Sequence, residues 1–369
     1  MRKLLLAASL VASTVASLIV QAAPIVPQAD DEVIERLPAV ARAGTSADPA
    51  LALNEARSLL EAGREQGDPR LAGRALARLA RWQSDARAPA DIVLLLADTE
   101  QYLHRFEPAN RRLEALVRRD ARQPQAWLML ATLHRVQGRY DASDRACDAL
   151  RGLRAQPYAD ACVAENRALR GEHEPARRQL QALIALSTDA GTRAWLTTSL
   201  AELEQRAGRA AASDAAWRQS LASGRDAYAA IAYADFLLDQ QRPRDAWRVL
   251  QAEQRSDAAL LRLAIAAQRA RLPEASALRD ELRERFAQAD QRSGPSGHER
   301  ERALMALEIE RDPAAALRAA RQNVEQQREP LDLLLLARCA TAAGDAAALA
   351  EAKALAERIG LRDVRLAAL

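Results

Sequence analysis

The residues best suited to chemistry are four histidines, a side chain that binds metals and moves protons near neutral pH. None has a second His, Cys or Asp at metal-ligand spacing on its own predicted helix. Residues 298–302 also lack the second histidine of a zinc-protease helix. We therefore expect no metal and no cofactor, with the histidines in turns or in the core. They are His104, His134, His173 and His298.

Nucleophile and phosphate motifs are missing as well. Residues 294–297, GPSG, are one residue short of the hydrolase turn G-x-S-x-G, and no strand is predicted before them. The glycine patterns G-x-x-x-x-G-K and G-x-G-x-x-G do not occur in the sequence. The sequence therefore favours a protein that is not an enzyme. The enzyme alternative would need a site in the divergent region 256–330.

The composition predicts a helical protein. The sequence has 369 residues and is 49% hydrophobic, but only 4% is aromatic. Alanine, the best helix former, is its commonest residue. Lys and Arg number 53 against 50 Asp and Glu, and the two signs alternate along the chain. A nucleic-acid partner is not expected, because phosphate binding needs a net basic stripe.

The first 22 residues resemble a secretory signal peptide. Arg2 and Lys3 precede an apolar stretch over 4–20, and small residues at Val20 and Ala22 predict cleavage after Ala22. The mature protein would then be periplasmic or secreted, with no membrane span after signal removal. The alternative is that the segment is retained as a membrane anchor.

A repeated spacing of apolar and small residues organises the chain. It is clearest over 124–157, which carries Trp127, Leu130 and Ala131. Two positions of the unit are almost always Ala or Ser, as expected where two helices cross closely. These are Ala97, Ala131, Ala164, Ala201, Ala234 and Ala337 at position 8, and Ala109, Ser143, Ala176, Ser213, Ala246, Ala275 and Ala316 at position 20.

This spacing resembles the tetratricopeptide repeat (TPR), a helix–turn–helix unit of about 34 residues. The layout is also similar to that of uncharacterised exported TPR proteins of Gram-negative bacteria, through residues 67–70, the Trp127 repeat and residues 233–239. The resemblance implies an all-α, right-handed superhelical solenoid. We expect divergent N-terminal hairpins over 23–89, a well-matched array over 90–255, a divergent repeat and a loop over 256–296, and TPR-like repeats over 297–369.

The repeat frame brings two cysteines together. Cys147 falls on the second helix of one unit and Cys162 on the first helix of the next, and these helices pack together in a TPR. Export would place the pair in an oxidising compartment, which favours a disulfide. The alternative is two buried thiols, and Cys339 is expected to be a buried free thiol.

The same frame predicts a concave binding groove. Acidic residues at position 9 and aromatic residues at positions 2 and 13 suit a peptide that carries Lys or Arg. The alternatives are that the acids are ordinary exposed helix residues and that the aromatics pack at helix starts. The candidate residues are Asp98, Tyr102, Tyr158, Glu165, Trp195, Glu202, Tyr228 and Asp235.

These features together predict a non-catalytic scaffold in the periplasm that binds a protein or peptide segment. A component of a cell-envelope assembly or export complex is the alternative within the same class.

Overall fold

The computed structural model describes residues 48–224, 226–253, 256–293 and 298–369, without the side chains of 292 and 293. The predicted signal peptide, residues 1–22, and the segment up to residue 47 lie outside these ranges. The described residues belong to one compact unit.

The described residues form helices and connecting turns, with no strand among them. Two short helices are irregular, a 3₁₀ turn at Ala80–Trp82 and a π turn at Ala306–Glu310. The α-helices are α1 Pro49–Gln66, α2 Pro69–Arg78, α3 Ala90–Tyr102, α4 Phe106–Arg119, α5 Pro124–Val136, α6 Tyr140–Gly152, α7 Tyr158–Leu169, α8 His173–Leu186, α9 Ala190–Arg206, α10 Ala210–Ser223, α11 Ala227–Asp239, α12 Pro243–Leu250, α13 Asp257–Ala270, α14 Ala275–Ser293, α15 Glu299–Met305, α16 Pro313–Gln326, α17 Pro330–Ala342, α18 Ala346–Ile359 and α19 Val364–Ala367.

Odd- and even-numbered helices from α1 to α18 pair as successive hairpins, and each hairpin packs on the next. The prediction of an all-α solenoid of TPR-like hairpins is confirmed. Every small residue at position 8 is buried, and at position 20 only Ala275 is partly exposed. The repeat that contains Ala275 is also irregular in length, because α14 extends to Ser293, close to the end of the predicted segment of divergent repeat and loop over 256–296. Gln and Arg at 291–292 are good helix formers, which accounts for the extension.

The turn inside each hairpin has a left-handed residue at the same position. Gly138 has φ 69° and Gly208 has φ 75°, which glycine adopts without steric cost. His104 and Gln241 take the same position in their repeats with φ 56°. The prediction of a turn histidine is therefore confirmed for His104, whose ring stacks on Phe106 at 5.6 Å between centroids.

Enlarging a side chain at a helix crossing tests the repeat frame. Ala131 is fully buried between α5 and α6, so Ala131→Leu should lower the free energy of unfolding by about 1–3 kcal/mol through overpacking. Ala215→Leu, at an exposed position of α10, is the matched control and should stay within about 0.5 kcal/mol. A urea titration of both variants measures the difference. Equal losses would mean that the close crossing is not at Ala131.

The C-terminal hairpins fold back onto the turns of the central ones. The backbone N–H of Arg328 donates to the carbonyl of Val136 at 2.7 Å, and that of Arg362 donates to the carbonyl of Leu169 at 2.8 Å. These carbonyls lie at the ends of α5 and α7, where a helix leaves its last acceptors unused. Leu169 shares a buried cluster with C-terminal residues such as Leu333. One edge of the concave face is thereby covered by the chain itself.

The N-terminal hairpin reaches the divergent repeat in a similar way. Gly67 ends α1 with φ 64°, and a Cβ placed there would clash with the Cβ of Ser256. Glycine is required both by the backbone conformation and by this approach.

Among the described residues, no helix combines the length and hydropathy needed to cross a bilayer.

Candidate functional site

A cavity of about 540 Å³ lies on the face formed by the first helices of the central hairpins. It is lined by residues of α5, α7, α9 and α11, and Glu329 and Pro330 at the start of α17 border it on the C-terminal side. Four of the eight candidate groove residues line it, namely Glu165, Trp195, Glu202 and Tyr228.

Aromatic side chains lie beside this cavity. The rings of Tyr158 and Trp195 are 5.7 Å apart between centroids, so Tyr158 adjoins the cavity through Trp195. Tyr158 is 42% exposed and Tyr228 is 57% exposed. Such exposure of two large rings on one face is unusual for residues that only pack a helix start.

The other three candidates lie outside the cavity lining. Asp98 forms an ion pair with Arg64 at 2.6 Å, and the Tyr102 hydroxyl donates to the carbonyl of Gly63 at 2.8 Å. Both contacts join α3 to α1. Asp235 faces Arg262 of α13. The structure therefore brings four of the eight residues to one cavity, with Tyr158 beside them.

The position-9 acids connect neighbouring hairpins. Glu165 of α7 pairs with Arg135 of α5 at 2.5 Å and accepts a hydrogen bond from the Ser199 hydroxyl of α9 at 2.6 Å. Asp235 pairs with Arg262 at 3.0 Å, and the Arg262 side chain is only 3% exposed. Three of the four position-9 acids, Asp98, Glu165 and Asp235, therefore pair with arginines of neighbouring hairpins.

Glu202 and Arg206 form a looser pair inside the cavity. The Tyr228 hydroxyl donates to Glu202 Oε1 at 2.5 Å, whereas Arg206 Nη1 lies 3.8 Å from Glu202 Oε2. Burial, with a smaller contribution from Glu165, raises the pKa of Glu202. The negative charge of Glu202 in turn holds the pKa of Tyr228 well above its usual value.

The arginines were not predicted as site residues, although a signal was present. Arg135 and Arg206 occupy positions 12 and 13 of their repeats, the same helix face as the acids. Beside its acids and aromatics, this face therefore carries cations. Its charge is mixed and not simply acidic, and most of its charged groups are paired.

The two cysteines of the array are joined. Cys147 of α6 and Cys162 of α7 form a disulfide with a Cα–Cα distance of 5.6 Å, and Cys339 is a buried free thiol. Burial raises the pKa of the Cys339 thiol to about 12, so it is protonated and unreactive at neutral pH.

A neutral substitution of Glu202 tests its raised pKa. Between the unfolded and the folded pKa of Glu202, the wild type should lose stability as the pH rises, whereas Glu202→Gln should not. The free energy of unfolding of the variant, minus that of the wild type, should therefore increase over this pH range. The reason is that ionisation of Glu202 costs more in the folded state, and Gln cannot ionise. Thermal melts between about pH 4 and pH 8 measure this slope. A difference that is constant with pH would contradict the assignment.

No family model and no curated protein matches the chain, whereas several solved structures do. The chain is similar to TTC0263, a thermophilic TPR protein of Thermus thermophilus, with 21% identity, a TM-score of 0.41, and coverage of 51% of this chain and 98% of that one. It is similar to the APC/C hetero-tetramer Cut9–Hcn1 with 15% identity, a TM-score of 0.44, and coverage of 80% and 56%. It is also similar to the TPR domain of P58(IPK) with 16% identity, a TM-score of 0.25, and coverage of 80% and 98%.

Proposed function

We propose that this array of TPR-like hairpins is a non-catalytic protein-interaction scaffold that acts in the periplasm after export. Its concave face, on α5, α7, α9 and α11, would hold a segment of a partner protein. The observation that carries the proposal is the exposure of Tyr158 and Tyr228 beside Trp195 at the cavity. Tyr and Trp are the residues most often found at the energetic centres of protein interfaces.

The charges around the cavity favour a basic partner segment. Four carboxylates line it, against the two arginines Arg135 and Arg206. An ionised carboxylate accepts more than one hydrogen bond, so pairing within the chain leaves some capacity for a ligand. The exposed rings add cation–π surface for Lys or Arg. The four carboxylates are Glu165, Glu202, Asp226 and Glu329.

Capture from a periplasmic extract, followed by mass spectrometry, tests the scaffold. Trp195→Ala should weaken binding of the captured partner by about 2 kcal/mol or more, as expected for an aromatic anchor. Leu186→Ala, an apolar residue that is 79% exposed on α8 and does not line the cavity, is the matched control and should leave the affinity unchanged. Equal affinity of the wild type and Trp195→Ala would place the interface elsewhere.

The location of the protein has its own test. If the signal is cleaved after Ala22, N-terminal sequencing of the exported protein should begin at Ala23. A chain that retains Met1 and sediments with membranes would contradict a periplasmic scaffold released from its signal.

A further inference from the structure

Arg206 is a buried cation without a close partner. Its side chain is 8% exposed, and the only ion pair it makes within the described part of the chain is the 3.8 Å contact with Glu202. Its Nε has no hydrogen-bond partner among those residues. Removing a guanidinium from water without replacing its hydrogen bonds is costly. Because Arg206 lines the cavity, a ligand that enters there can supply an acceptor to its guanidinium group.

Glu202 supplies the opposite charge one helical turn away. Its carboxylate accepts one hydrogen bond from Tyr228 and has further acceptor capacity. The other charged groups that line the cavity have closer partners or a capping role: Glu165 pairs with Arg135 at 2.5 Å, Glu329 accepts from Arg300 at 2.5 Å, and Asp226 caps α11. The cavity thus offers one under-coordinated cation next to one under-coordinated anion.

The remaining wall has the character of a small-molecule site. Apolar side chains contribute to it from α5, α7, α9 and the start of α17, namely Val136, Leu169, Ala194, Trp195 and Pro330. The volume of about 540 Å³ lies within the range of about 300–1,000 Å³ that is usual for pockets that bind small ligands.

We propose that this cavity binds a free α-amino acid with an apolar side chain. Its carboxylate binds Arg206, its ammonium group binds Glu202, and its side chain packs against Leu169 and Trp195. An α-amino acid carries both charges on one carbon, which matches two opposite charges on adjacent turns of α9. The inference goes beyond the scaffold function, because it assigns a small ligand and does not require a protein partner.

Matched analogues of leucine test the proposal on the full mature chain. L-leucine should bind in isothermal titration calorimetry and raise the Tm. 3-Methylbutylamine lacks only the carboxylate and 4-methylpentanoate lacks only the ammonium group, so each should bind at least tenfold more weakly. Absence of binding by L-leucine, L-valine and L-phenylalanine would overturn the proposal. So would equal binding of leucine and either analogue.

Substitution of Arg206 gives an independent readout. Arg206→Met should reduce leucine binding at least tenfold and should not lower the Tm of the ligand-free protein, because it removes an under-coordinated buried charge. Arg218→Met, 61% exposed on α10, is the control and should bind leucine normally. Unchanged leucine binding by Arg206→Met would overturn the assignment of the carboxylate site. If Arg206→Met does not fold, the leucine analogues decide with the wild-type chain alone.

A peptide separates the small ligand from the protein partner. If a peptide ending in leucine binds and free leucine does not, the cavity belongs to the partner groove and the amino-acid proposal fails. Because both ligands would contact Trp195, added leucine should compete with the captured partner. Failure to capture any partner from extracts would refute only the scaffold function.

Discussion

Replacing Asp235 by alanine should lower the free energy of unfolding by about 3–5 kcal/mol, because it leaves a buried guanidinium without its main partner. The Asp235 carboxylate accepts hydrogen bonds from Arg262 Nε at 3.0 Å and from Nη2 at 3.1 Å. The Arg262 side chain is 3% exposed, so water cannot replace these bonds. Glu301 remains at 3.4 Å from Arg262 and offsets part of the loss. Urea titration followed by circular dichroism measures the change.

An exposed ion pair provides the control for Asp235→Ala. Asp141 pairs with Arg170 at 2.6 Å, but its side chain is 87% exposed. Asp141→Ala should therefore change the free energy of unfolding by no more than about 1 kcal/mol. If the free energy of unfolding falls equally in the two variants, Asp235 and Arg262 do not form a buried ion pair.

The same contacts limit the use of charge reversal in binding experiments. Changing Glu165 or Asp235 to Arg would place two guanidinium groups side by side, with Arg135 or Arg262 respectively. Loss of binding by such variants could then follow either from a destabilised array or from a lost partner contact, and the experiment would not separate the two causes. Substitution of the exposed Tyr228 avoids this problem.

Removing the disulfide should have the second large effect. The free energy of unfolding of the double variant Cys147→Ala/Cys162→Ala should be lower than that of the wild type by about 3 kcal/mol, the loop-closure entropy expected for a sequence separation of 15 residues. Under reducing conditions, the wild type and the double variant should become nearly equal in stability.

Peptide mapping without reduction identifies the bond directly. The peptides that contain Cys147 and Cys162 should be joined, and Cys339 should react with an alkylating agent only after denaturation. Cys339→Ala is the matched control for the stability loss of the double variant, because it removes a buried thiol without removing a disulfide. Free thiols at all three positions would show that the protein does not form the disulfide.

The hairpins could be predicted because their determinants are local. The small residues at the helix crossings, such as Ala131 and Ser143, recur at a fixed spacing, and Asp48 and Asp68 mark helix starts by accepting hydrogen bonds from the first turn. The pairing of Glu165 with Arg135 is less local. It could still be predicted, because both residues occupy groove positions of the repeat and therefore lie on the same face.

The docking of the C-terminal hairpins had no such signal. The bond between Arg328 and Val136 joins backbone groups of distant repeats, and any residue other than proline at position 328 could donate it. Glu329, the residue after Arg328, lines the cavity at this docked edge. A pattern of side-chain types therefore could not reveal either feature.

The backbone bonds made by Arg328 and Arg362 change how the array should respond to truncation. In an open solenoid each repeat contacts only its neighbours, so stability is close to a sum over adjacent pairs and the ends can be trimmed or can fray independently. Here the last hairpins also cover carbonyls at the ends of α5 and α7. Removing the C-terminal hairpins would therefore expose these carbonyls, in the middle of the array, to water. In the intact chain, the C-terminal and central hairpins should unfold together as one cooperative unit.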